Sequence, residues 1–150
     1  MDLSGLFSNQ VLIPALTAWG LAQLIKVPLN YVLTREWDWA LLLRVGGMPS
    51  SHSALISSTA HSIGLNTGFD TPLYALAVVI AMVVIYDATG IRRQAGKHAE
   101  IINAMVRDLT MGHPLKQEQL REVLGHTPLE ALGGLVFGLL VAQVVWMVWM

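Results

Sequence analysis

The chain has 150 residues, 54% hydrophobic and only 13% charged, with a mean hydropathy of +0.56. Soluble domains carry about 25% charged residues, so the composition argues against a water-soluble domain. A formal charge of -1 from 9 basic and 10 acidic residues argues against nucleic-acid binding, which needs a basic face. The absence of cysteine removes disulfides, thiolate metal sites and cysteine nucleophiles.

The N-terminus carries Asp2 and no Lys or Arg before its first apolar stretch, so no signal peptide is expected and the first helix is retained. That helix is predicted from about Val11 to Leu33, close to the roughly 20 residues a bilayer requires. Lys26 lies inside it. A lysine at that depth is costly unless it faces protein or water, or snorkels to the interface, so Lys26 is a site candidate with snorkelling as the alternative. Trp37 and Trp39 in the wet segment that follows suit a membrane interface.

Gly46-Gly47 ends that segment, and Ser50 or Ser51 can cap a second helix running to about Leu65. Its Ser57, Ser58, Thr59, His61 and Ser62 make it a poor lipid-facing helix and place it inside a bundle. Thr71-Pro72 caps a third, uncharged span through Tyr86, ended at Gly90 in the left-handed conformation. From Lys97 to about Leu124 the pattern predicts two short amphipathic helices on the membrane surface, split at Gly112-His113-Pro114. A last apolar span covers Leu129 to Met150.

Basic residues collect in cytoplasmic loops. Arg35 and Arg44 lie between the first and second spans. Arg92, Arg93, Lys97, Arg107, Lys116 and Arg121 lie between the third and fourth. The expected architecture is therefore an all-α, single-domain bundle of about four transmembrane helices, with both termini outside. In it the second and fourth helices begin, and the third ends, at the cytoplasmic face. Helix N-termini there are ready anion sites.

Three segments share that face. In Gly46-Gly47-Met48-Pro49-Ser50-Ser51-His52, small residues let an anion approach, serines donate and His52 supplies a proton; the alternative is a plain serine cap. In Gly125-His126-Thr127-Pro128-Leu129-Glu130, Thr127 and Glu130 read as a capping box, which leaves His126 unexplained. Its place before the helix favours the neutral imidazole a nucleophile requires, with Glu130 four residues on to orient the ring. Between them, Arg92 and Arg93 offer bidentate donors for phosphate oxygens, with Asp87, Lys97 and His98 nearby in sequence; the alternative is a pair of ordinary topology determinants at the interface. His61 reads as a bundle histidine and His113 as a turn residue.

GGMPSSHSA, YDATGIRRQAGKHAE and GHTPLEALGGLVFG together resemble the PAP2 superfamily of phosphatidic acid phosphatases and vanadium haloperoxidases, and more closely its small divergent branch, DUF212. The resemblance runs from Lys26 to Gly138. Pro49, Ser50 and His52 match the second superfamily motif, with Ser51 in place of its glycine. Lys26 matches the lysine of the first motif, with Arg35 nine residues later instead of seven. His126 and Glu130 match the His-x3-Asp of the third, with Glu for Asp and Arg121 one place off the expected arginine; Arg92 and His98 have its Arg-x5-His spacing.

The resemblance implies hydrolysis of a lipid phosphate monoester or diphosphate through a phosphohistidine, without metal or cofactor. His126 would be the nucleophile (His98 the alternative), His52 the acid and Glu130 the orienting group. Lys26, Arg92, Arg93, Ser50, Ser51, Asp87 and His98 would hold the substrate. A cytoplasmic site favours substrates of that leaflet, such as phosphatidylglycerophosphate or phosphatidic acid, in a bacterial plasma membrane, and four short spans are compatible with a homodimer. Two rivals stand beside this reading: a non-catalytic PAP2-like membrane protein that binds a lipid head group or supports a complex, and a metal-dependent phosphotransferase using Asp87, His98 and Glu100.

Overall fold

The computed structural model describes residues 3–43, 46–110 and 125–149, with the side chains of residues 3–4, 91–93 and 108–110 outside the description. Among the described residues five α-helices follow one another: α1 (Leu12–Thr34), α2 (Ser51–Thr67), α3 (Pro72–Thr89), α4 (Ile91–Thr110) and α5 (Pro128–Trp149). Among the described residues there is no strand. Three of the helices, α1, α3 and α5, are long and apolar enough to cross a membrane, and the helical course of α3 runs on into the amphipathic α4.

Local chemistry sets most helix ends. Ser50 caps α2 by accepting from the Ser53 N–H, and Thr71 caps α3 by accepting from that of Tyr74, with Pro72 at the first helical position. Thr127 and Glu130 form a reciprocal capping box on α5, each side chain accepting the other's backbone N–H at 3.3 and 3.0 Å. Asn9 does the same work ahead of α1, its Oδ1 accepting from Val11 and Leu12. Gly46 and Gly47, at φ of +111° and +77°, turn the chain into α2.

Two expectations are corrected. Gly90 is not left-handed: its φ and ψ are -98° and -82°, and α4 starts at the next residue, so only a bend separates α3 from α4. The first surface helix accordingly begins at Ile91 instead of near Lys97 and runs 20 residues to Thr110 with no proline in it; the split at Gly112-His113-Pro114 and the second surface helix, with Lys116 and Arg121, lie outside the described residues, as does Arg44.

α2 is the axle of the bundle, packed against α1, α3 and α5. At 17 residues it spans about 25 Å, and its serines turn inward: Ser50, Ser51, Ser53, Ser57, Ser58 and Ser62 are all buried. Among the described residues the buried apolar side chains are alanines, Val27, Pro14 and Pro49, while Leu76, Met82 and Val83 of α3 and Leu132, Leu140 and Val144 of α5 point outward. Small residues inside and large apolar ones outside is the arrangement of helices packed in lipid, where close backbone approach holds the bundle together.

The α2–α5 seam shows this most sharply. Gly134 and Gly138 face Ser50, Ser53, Ala54 and Ser57 so closely that a Cβ on Gly138 would lie 2.1 Å from Ser57 Oγ and 2.3 Å from the Ala54 carbonyl. Ser57 Oγ also donates across the seam to the Leu135 carbonyl at 3.1 Å. Further along, His61 Nε2 and Gln143 Oε1 meet at 3.0 Å, which gives His61 the partner a bundle histidine requires. At the other side, Tyr31, Trp37 and Trp39 stack in series with centroids 4.6 and 5.7 Å apart.

Candidate functional site

Two backbone hydrogen bonds tie three helix ends together. Ser50 at the start of α2 donates to the Glu130 carbonyl in the first turn of α5 at 3.0 Å, and His126 just before α5 donates to the Ala88 carbonyl near the end of α3 at 3.1 Å. Two helix N-termini, each with partial positive charge, therefore meet one C-terminus, and the histidines of the two distant motifs are brought side by side. The rings of His52 and His126 have centroids 6.1 Å apart and are tilted by 56°.

His126 is 2% exposed, and its Nδ1 lies 3.2 Å from Glu130 Oε2. Glu130 reaches back because the same oxygen also accepts the Thr127 N–H, so the capping box fixes the carboxylate that in turn fixes the ring. A neutral His126 donating Nδ1–H to Glu130 carries its lone pair on Nε2.

Lys26 completes the group from α1. Its side chain is 2% exposed and does not snorkel: Nζ donates to Gln23 Oε1 and to Ser51 Oγ, the latter at 3.4 Å. Lys26 and Glu130 line one cavity of about 190 Å³ with Asn30, Gly47, Met48 and Leu41, equal to roughly six waters at about 30 Å³ each. Lysine, serine and carboxylate–imidazole thus share one end of the bundle.

The remaining candidates divide. Ser50 and Ser51 are buried at the α2 tip, Ser50 in its cap and Ser51 on Lys26. Asp87 is half-buried in the last turn of α3, next to the Ala88 that holds His126. Arg92 and Arg93 lie on the first turn of α4, with side chains outside the described residues. His98 is exposed and lines a separate depression with Tyr86, Gly90, Gln94 and Ala95; it joins neither the histidine pair nor the Lys26 cavity. Arg35 is exposed in a left-handed C-cap of α1. Among the described residues no three His, Asp or Glu side chains form a metal-binding group, so Asp87, His98 and Glu100 are not gathered as the phosphotransferase alternative requires.

Sequence reasoning missed Gln23, which accepts from Lys26 and donates to the Leu42 carbonyl at 2.9 Å, tying the lysine to the loop ahead of α2. The signal was present. Gln23 and Lys26 stand three apart on a helix, a spacing that puts them on one face.

A family model described as the divergent PAP2 family, DUF212, matches residues 7–141. The uncharacterized membrane protein YuiD of Bacillus subtilis (strain 168) is 37% identical over 150 residues, covering 93% of this chain and 95% of that protein. No solved structure matches the chain. Its match over residues 7–141, carried on an all-α bundle with three membrane-length apolar helices, means that the chain belongs to the divergent PAP2 family and is a membrane protein.

Proposed function

We propose that the protein is a membrane lipid phosphatase that hydrolyses a lipid phosphate monoester or diphosphate through a phosphohistidine. The observation that carries this reading is the His52–His126 pair, 6.1 Å between ring centroids, with Glu130 on Nδ1 of His126. A nucleophile oriented by a carboxylate and faced by a second proton carrier is the arrangement covalent catalysis needs.

His126 Nε2 attacks phosphorus, forming the N–P bond as the ester P–O bond breaks, and His52 delivers a proton to the departing oxygen. Water then attacks the phosphohistidine, with His52 taking its proton, and phosphate leaves. Lys26, Ser51 and the α2 N-terminus stabilise charge on the non-bridging oxygens. The apolar Leu29, Leu33 and Met48 beside Lys26 suit the start of a lipid chain. A cytoplasmic site points to phosphatidylglycerophosphate or phosphatidic acid.

Phosphate release by detergent-purified protein from these two lipids tests the reading, with His52→Ala and His126→Ala beside the wild type. Activity equal in all three discards it in favour of a non-catalytic lipid-binding protein. Lys26→Met is expected to keep its helical circular dichroism and to lose about 100-fold in rate, the cost of removing one charge-stabilising donor.

The sidedness has its own test, because the chain has no cysteine. With an impermeant maleimide on intact cells, Asp70→Cys in the α2–α3 turn is expected to label directly, and Glu100→Cys on α4 only after permeabilisation. The reverse pattern would put the site on the outer face.

A further inference from the structure

The bend between α3 and α4 holds a second depression, of about 490 Å³, lined by Tyr86, Gly90, Gln94, Ala95 and His98. That volume is within the range of about 300–1,000 Å³ typical of small-molecule sites. It shares no lining residue with the Lys26 cavity, and the proposed hydrolysis uses none of these side chains. We infer that this elbow binds the phosphodiester head group of an anionic phospholipid as a non-catalytic site, with Tyr86, Gln94 and His98 on the head group and Ile101 and Met105 along the chain.

Three observations carry it. The first is chemistry: a phenol, an amide and an imidazole converge where an apolar span ends, the depth at which tyrosines meet phospholipid head groups. The second is charge: α4 holds Arg92, Arg93, Lys97 and Arg107 against the two acids Glu100 and Asp108, an excess that draws anionic lipid.

The third decides between a lipid and a free phosphate. Gln94, His98, Ile101 and Met105 follow at spacings of four, three and four, which places them on one face of α4. Ile101 and Met105 are 53% and 59% exposed. A polar hollow therefore shares a helix face with an apolar stripe that is exposed among the described residues, the two halves of an amphiphile. Free phosphate has no use for the second half.

Native mass spectrometry of the detergent-purified protein, titrated with dioleoyl phosphatidylglycerol or dioleoyl phosphatidylcholine, tests this independently of catalysis. Phosphatidylglycerol is expected to be retained at about tenfold lower concentration, one unit of affinity on a logarithmic scale. That preference disappears in Gln94→Ala/His98→Ala and persists in His52→Ala/His126→Ala. Gln94→Glu/His98→Glu, confined to exposed positions, is expected to remove the preference by repulsion, with circular dichroism reporting an intact fold. Equal retention of both lipids, displacement of phosphatidylglycerol by glycerol phosphate at the same concentration, or loss in the His52/His126 variant in place of the elbow variants would each overturn the inference.

Discussion

Gly138→Ala is expected to destabilise the bundle by about 3 kcal/mol or more, at the upper end of what overpacking costs. The added methyl would stand 2.1 Å from Ser57 Oγ and 2.3 Å from the Ala54 carbonyl. The hydroxyl can rotate away, but the carbonyl belongs to the α2 backbone, so α2 and α5 must separate. That separation also lengthens the Ser57 Oγ–Leu135 bond. Gly134→Ala is expected to behave alike, with the Ser50 carbonyl 2.2 Å away, and to disturb the histidine pair as well, because Ser50 immediately precedes the His52 turn. Gly133→Ala is the control: its closest neighbour is the end of the flexible Met48 side chain at 3.0 Å, and a change under about 1 kcal/mol is expected. Thermal unfolding in detergent, followed by circular dichroism, separates the three. Equal midpoints for Gly133→Ala and Gly138→Ala would contradict the packing described.

On the proposed phosphatase reading, the largest catalytic effect belongs to His126. His126→Ala is expected to lower phosphate release by about 10⁴-fold or more, as losing a nucleophile of a concerted unit does. Glu130→Gln keeps the side chain's shape and one acceptor oxygen, so the cap survives while the charge behind Nδ1 goes; about 10- to 100-fold loss is expected. His52→Ala falls between them, with general acid–base catalysis contributing about 10²–10⁴. Because the residues act as one unit, the double variant His52→Ala/His126→Ala should be scarcely slower than His126→Ala alone. Multiplying losses would mean that the two rings act independently. Trapping labelled phosphate on the protein during turnover, and its absence in His126→Ala, distinguishes a covalent intermediate from direct attack by water.

Much of the scaffold could be read from residue chemistry because its signals are local. Ser50, Thr71 and Thr127 are caps followed at once by apolar or small-residue helices, and those helices start where the caps stand. The convergence of the α2 and α5 starts was legible too, since alternating spans must return every second tip to the same side. What was not legible depended on the third dimension. Lys26 was balanced between snorkelling and burial, and only the pairing with Gln23 and Ser51 decides it. His98 looked like part of the phosphate group by its spacing from Arg92, yet the bend at Gly90 carries it to another depression. Gly90 itself suggested a left-handed stop, but a glycine also permits a simple bend, and the apolar periodicity beyond it was strong enough to resume the helix.

The serine-lined axle has a bearing on how the protein is made. A segment carrying six buried serines and two histidines gains little by leaving the insertion machinery alone, and Ser51, Ser57 and His61 meet their partners Lys26, Leu135 and Gln143 only when neighbouring helices are present. Membrane entry of α2 would then be a joint event with α1 before it and α3 after it. A nascent chain halted before α3 emerges would be left with its second helix at the water boundary, an accessible target for quality-control proteolysis.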